Sequence, residues 1–127
     1  MRTITLEEHF VTAGFLDGPG RDVKEQARKA GSRAERLMLD LSDLGEGRIA
    51  QMDAAGIDMQ VVSLTAPGVE QLEAAEAVAL ARDTNDALAE AIAKQPTRLS
   101  GLAALRHRIM RLKSSNAAST IRPSPVR

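Results

Sequence analysis

The 127-residue chain carries 17 acidic and 17 basic residues, so its formal charge of zero gives no bias toward nucleic acid or a membrane surface. It has no cysteine, which excludes a disulfide framework and a thiolate metal site and makes a reducing, cytoplasmic setting the expectation. Two Phe with no Trp or Tyr leave the core to Leu, Ala, Val, Ile and Met, enough for one small domain or part of a larger one.

The first predicted element is a short strand, Thr3 to Leu6, β-branched and apolar, running straight into Glu7-Glu8-His9. Charges follow it at once and no apolar run reaches spanning length, so neither a secretory leader nor a membrane helix is expected. Gly14, Gly18, Pro19 and Gly20 then mark a loop. Residues 22–41 are charged and rich in Ala, Leu and Arg, the composition of an exposed helix, with Gly31 as a weak point at its middle. A further helix is predicted from Arg48 to Ala55, stopped by Gly56. Ile57 to Leu64 is a nearly continuous apolar run of strand length, as expected of a strand covered on both faces, and Thr65-Ala66-Pro67-Gly68 closes it. From Val69 to Gln95, Ala74, Val78, Ala81, Leu88 and Ile92 form a stripe at helical spacing, and Pro96 ends the helix. Leu99 to Leu105 reads as another buried strand. The order β, α, β, α, β predicts a parallel α/β sheet.

In such sheets chemistry gathers at the carboxyl ends of the strands, which singles out Glu7-Glu8-His9, the Thr65–Gly68 turn and whatever follows Leu105. Alternation along a strand places Glu7 and His9 on one face and Glu8 on the other. A carboxylate and an imidazole together are half of a divalent metal site, since a catalytic zinc or manganese takes three or more protein ligands. Ordinary surface charge at a strand end is the bland reading. Asn85, inside the apolar stripe, is expected to hydrogen-bond a neighbouring loop, and Thr65 is either a turn residue or a hydroxyl at the site. His107 and Arg48 are read as surface groups, while Phe10 and Phe15 either pack the loop or line a pocket.

The segments "LEEHF", "RIAQMDAAGIDMQVVSLTAPGVEQ" and "ALARDTNDALAEAIAKQPTRLSGLAAL", in this order over residues 3–105, resemble the opening third of the amidohydrolase-related family that holds the γ-resorcylate and 2,3-dihydroxybenzoate decarboxylases. The resemblance implies the N-terminal portion, about three β/α units, of a metal-dependent (β/α)8 TIM barrel. It implies Glu7 and His9 as metal ligands, a divalent Mn2+ or Zn2+, and Thr65 and Phe15 as substrate neighbours. The implied reaction is non-oxidative decarboxylation of a small hydroxylated aromatic carboxylic acid, with hydrolysis by the same superfamily as the alternative. An intact member is expected to be a homo-oligomer without nucleic-acid or membrane partners. A small α/β binding or oligomerising module is the reading from outside the family, at odds with the unpaired strand edges that a three-strand fragment would leave.

Two features depart from the family. A barrel of this kind takes about 250 residues, and the remaining His and Asp ligands of the family would come from later strands, so the expectation is an inactive fragment comprising residues 1–105. Those residues hold all 17 acids but 11 of the 17 basic residues, a net of −6, whereas residues 106–127 hold six Arg or Lys and no acid. This basic segment is expected to be a disordered tail and a frameshift product, because a shifted reading with permitted codons yields an acidic, helix-forming continuation.

Overall fold

The computed structural model describes residues 1–106. Residues 107–127, all of the tail except Arg106 and including His107, therefore lie outside the described residues. The elements run β1 (Ile4–Phe10), α1 (Ala13–Asp17), α2 (Arg21–Ala30), α3 (Ser32–Ser42), α4 (Glu46–Ala55), β2 (Met59–Leu64), α5 (Ala74–Lys94) and β3 (Leu99–Gly101). The three strands form one parallel sheet in the order β1-β2-β3. That is the alternating α/β arrangement expected from the sequence.

Several boundaries moved for identifiable reasons. The helix predicted over residues 22–41 is two helices, because Gly31 adopts φ 94°, ψ −174°, a conformation closed to other residues and incompatible with a continuous helix. The predicted loop at Gly14–Gly20 contains the short helix α1, started by Thr12, whose hydroxyl accepts from the Phe15 N–H at 3.2 Å. At the end of α4, Gly56 takes the left-handed conformation expected of it. The long helix starts at Ala74 rather than Val69, and its inward stripe is Ala77, Ala81, Thr84, Leu88 and Ala91. Val78, expected on that stripe, is 48% exposed. The Thr84 hydroxyl satisfies itself inside the stripe by donating to the Leu80 and Ala81 carbonyls.

The core lies between the sheet and helices α4 and α5, where Phe10, Met52, Val62, Leu88, Ala91 and Leu99 form one buried cluster. Val69, Ala77 and Ala81 form a second. Coverage is on one face of the sheet, not the two that the apolar run of β2 suggested: along β2 Gln60 and Val62 are buried while Met59, Val61 and Ser63 are half-buried, and Ile4 and Leu6 of β1 are exposed. The helices take one face, and the described residues leave the other open.

At the amino ends of the strands, Arg98 joins three segments. Its guanidinium donates to the Asp58 carbonyl at 2.8 Å, the Ile57 carbonyl at 3.0 Å and the Asp53 carboxylate at 2.6 Å. Truncating it removes these bonds, of which only that to the Ile57 carbonyl is part-buried, so Arg98→Ala should cost about 1 kcal/mol. Thermal melts should show the midpoint falling by several degrees; an unchanged midpoint would mean that water replaces the side chain without loss.

Candidate functional site

The carboxyl end of β1 is irregular. Ile4 and Thr5 pair with Met59 and Gln60, whereas Glu8, His9 and Phe10 pair with Val62, Ser63 and Leu64. Leu6 and Glu7 thus stand opposite the single Val61, a one-residue β-bulge. At its centre Glu7 has φ 62°, the one positive φ at a non-glycine position among the described residues. A side chain there costs about 1–3 kcal/mol, and such strain gathers at functional positions.

The bulge decides which way the motif faces. Partners across a ladder share a face, so Thr5 and Glu8 lie with buried Gln60 and Val62 on the helix side, and His9 lies with Ser63 on the open side. The contact between the Ser63 hydroxyl and His9 Nδ1, 3.4 Å, agrees with that placement. Uninterrupted alternation from Thr5 would have carried His9 under the helices. Glu8 and His9 are on opposite faces, as alternation within the triplet predicts, but the phase of the triplet relative to the rest of the strand is set by the bulge at Glu7.

On the helix side, Arg48 is 7% exposed, which corrects its reading as a surface charge. The cause is its spacing: Arg48 is one helical turn before Met52, the other buried residue of α4, and so shares its inward face. Its guanidinium donates to Asp43 O at 2.7 Å, Gln60 Oε1 at 3.0 Å and His9 O at 2.9 Å. Burial pushes its pKa down, opposed by the carboxylates of Glu8, Asp43 and Asp40. Gln60 and Ser63 carried no sequence signal beyond being polar residues within an apolar strand.

The other predicted positions fall as follows. Thr65, directly after β2, is half-buried, and its N–H donates to Phe10 O at 3.1 Å. Phe15 is fully buried, its ring filling the space where a Cβ on Gly20 would sit. It packs the α1–α2 turn. Asn85 meets its expectation: Nδ2 donates to Ala104 O at 3.0 Å and Oδ1 accepts from Ala104 N–H at 2.7 Å. This paired clasp holds the segment after β3, where strand pairing stops at Gly101 instead of continuing to Leu105. Between that segment and the end of β2 lies an open cleft of about 390 Å3 lined by Ser63, Gly68, Val69, Leu102 and Leu105. Ser63 is shared between the cleft and His9.

Glu7 and His9 are both exposed and supply one oxygen and one imidazole donor, a pair that suits a divalent cation. With Ser63 beside Nδ1, the Nε2 of His9 is the nitrogen left for a ligand. The described residues contain no group of three or more His, Cys, Asp or Glu that could hold a metal ion. No helix among them is long and apolar enough to cross a membrane.

No family model matches the chain. Gamma-resorcylate decarboxylase of Polaromonas sp. is 40% identical over 110 residues, an overlap of 80% of this chain and 30% of that enzyme. The crystal structure of 5-carboxyvanillate decarboxylase from Novosphingobium aromaticivorans, complexed with manganese and 4-hydroxy-3-methoxy-5-nitrobenzoic acid, superposes with a TM-score of 0.72 at 36% identity, covering 83% of this chain and 34% of that one. Dihydroxybenzoic acid decarboxylase from Polaromonas sp., with bound manganese and 2-nitroresorcinol, gives a TM-score of 0.65 at 38% identity over 83% of this chain and 30% of that one. The chain thus spans about a third of the length of the proteins it matches.

Proposed function

We propose that this chain, a homologue of the aromatic-acid decarboxylases of the amidohydrolase superfamily, carries the first three β/α units and the first metal ligands of a non-oxidative carboxy-lyase. The observation that carries the reading is the Glu7-x-His9 pair at the carboxyl end of β1, with His9 turned to the open face beside Ser63 and the cleft. Glu7 and His9 would hold a divalent cation. Manganese is the first choice because it is the ion bound in the similar structures, with zinc compatible with the same donors. When bound, such an ion supplies positive charge to the carboxylate and ortho-oxygen of a hydroxylated aromatic acid. The remaining ligands are assigned to segments other than the described residues.

The chain's own residues supply the surroundings. Leu102, Leu105 and Val69 give the cleft apolar walls, and at about 390 Å3 it has the size of a site for one small aromatic acid. Thr65 would offer its hydroxyl at the carboxyl end of β2. Phe15 would contribute from beneath, backing α1 with its buried ring. In the overall reaction a proton is added at the ring carbon and carbon dioxide leaves with its bond broken. The assembled barrel would be a homo-oligomer acting in the cytoplasm. Residues 106–127 stand as a separate basic segment, for which we propose a change of reading frame; the coding DNA around Arg106 tests that.

Two ligands without a third bind weakly and do not assemble a catalytic site. The 127-residue chain should therefore release carbon dioxide from 2,6-dihydroxybenzoate no faster than buffer when Mn2+ is added, and metal-dependent release would overturn this. In the same chain, Mn2+ in the millimolar range should selectively broaden the NMR signals of the His9 ring, and Glu7→Gln should weaken that effect. Equal broadening in wild type and Glu7→Gln would remove Glu7 from the site.

A further inference from the structure

We infer that Arg48 is a positioning residue for His9: from behind the sheet, its buried guanidinium holds β1 in the bulged register that turns the imidazole to the open face. The inference deepens the metal reading and rests on it for the importance of His9.

Three observations carry it. First, Arg48 bridges the two sides of the bulge. Gln60, which accepts from the guanidinium at 3.0 Å, is the register partner of Thr5 before the bulge, while the His9 carbonyl, which accepts at 2.9 Å, lies after it. A one-residue slip of β1 would move the His9 carbonyl out of reach and exchange the faces of the whole triplet. Second, Arg48 as a whole is 7% exposed and its bond to Gln60 is buried, so bonds lost to such a slip would not be fully returned by water. Third, the rigid fork of Arg also reaches Asp43 O at 2.7 Å and Leu41 O at 3.5 Å, so the turn between α3 and α4 is tied to the same point. Charges around Arg48 come from Glu8 on β1, Asp40 on α3 and Asp43 on the following turn, all acidic. The middle residue of the triplet therefore has a part of its own: Glu8 faces the cation that orients its neighbour.

The test compares wild type, Arg48→Met and Arg48→Lys as 127-residue chains, under conditions where far-UV circular dichroism shows each to be folded. Two readouts are used: the nuclear Overhauser effect between the His9 ring and the Ser63 side chain, and the Mn2+ concentration that half-broadens the His9 ring signals. Outer partners of a metal ligand typically govern affinity by about 10–100-fold. Arg48→Met should accordingly lose the His9–Ser63 effect and raise the half-broadening concentration tenfold or more, with Arg48→Lys intermediate because one ammonium cannot span both sides of the bulge. A side chain that only stabilised the fold would lower the melting temperature and leave both readouts at wild-type values, and that result overturns the inference. Should Arg48→Met fail to fold, Arg48→Lys decides alone, since an unchanged His9–Ser63 effect in it is equally fatal. If wild type shows no Mn2+ broadening at His9, the metal reading fails, and the nuclear Overhauser comparison still decides the role of Arg48.

Discussion

Joining residues 1–105 of this chain to the remainder of a gamma-resorcylate decarboxylase should give a manganese-dependent enzyme whose kcat falls on the order of 10³-fold when His9 becomes Ala or Glu7 becomes Gln. The size follows from the role: removing one preorganised electrostatic group from an active site costs about 10²–10³ in rate, and a lost ligand also releases metal. Metal content, measured on the same samples, should fall with the rate. A chimaera that keeps both metal and rate without Glu7 would show that the strand-end carboxylate serves another purpose. Glu7→Gly offers a second view of this residue. Its φ of 62° is strained for glutamate and free for glycine, so in the 127-residue chain this variant should gain about 1 kcal/mol in urea unfolding while losing the Mn2+ effect at His9. Stability that rises as metal binding falls is the mark of a position held under strain for function. Glu7→Gly destabilising the chain would argue that the bulge depends on the side chain itself.

The second large effect is structural. Phe10→Ala should destabilise the chain by about 3–5 kcal/mol, the range for truncating a buried aromatic side chain. Phe10 is 1% exposed and sits in the main core cluster with Met52, Val62, Leu88 and Leu99. With only two Phe and no other aromatic residue in the sequence, no neighbour of comparable size can collapse into the space. A domain of this size has about 5–15 kcal/mol in total, so the variant should be close to unfolding at 37 °C and its urea midpoint should fall by more than about 1 M. Phe10→Leu, which keeps most of the volume, should cost much less. Because Phe10 follows His9 directly, the folded fraction of Phe10→Ala should also lose the sharp His9–Ser63 contact. A midpoint within about 0.3 M of wild type would place Phe10 outside the cooperative core.

The legible and illegible parts of this protein divide along the range of the interactions. Local pattern was enough for the order of the strands, because Pro96, Gly56 and the apolar runs at Ile57–Leu64 and Leu99–Leu105 act within a few residues of where they stand, although the last strand pairs only as far as Gly101. It was also enough to place Glu7 and His9 toward the carboxyl end of a parallel strand, the end at which such folds keep their chemistry. Asn85 could be read too, as a polar residue on an apolar helix that needed a backbone partner and found Ala104.

Local pattern misjudged Arg48, Val78 and the break at Gly31. A long cation in a helix looks like surface until a distant carbonyl is known to need it, and the carbonyl of His9 is 39 residues away in sequence. Val78 and Ala77 are equally good stripe residues by composition, and only the docking of α5 on the sheet decides that Ala77 turns inward. The sequence by itself determined a parallel α/β chain with a carboxylate and an imidazole, Glu7 and His9, at the end of its first strand. Which way His9 faces was decided by the tertiary structure, because the strand has a period of two, a single bulged residue reverses it, and the guanidinium that spans the bulge comes from a helix 39 residues further along the chain.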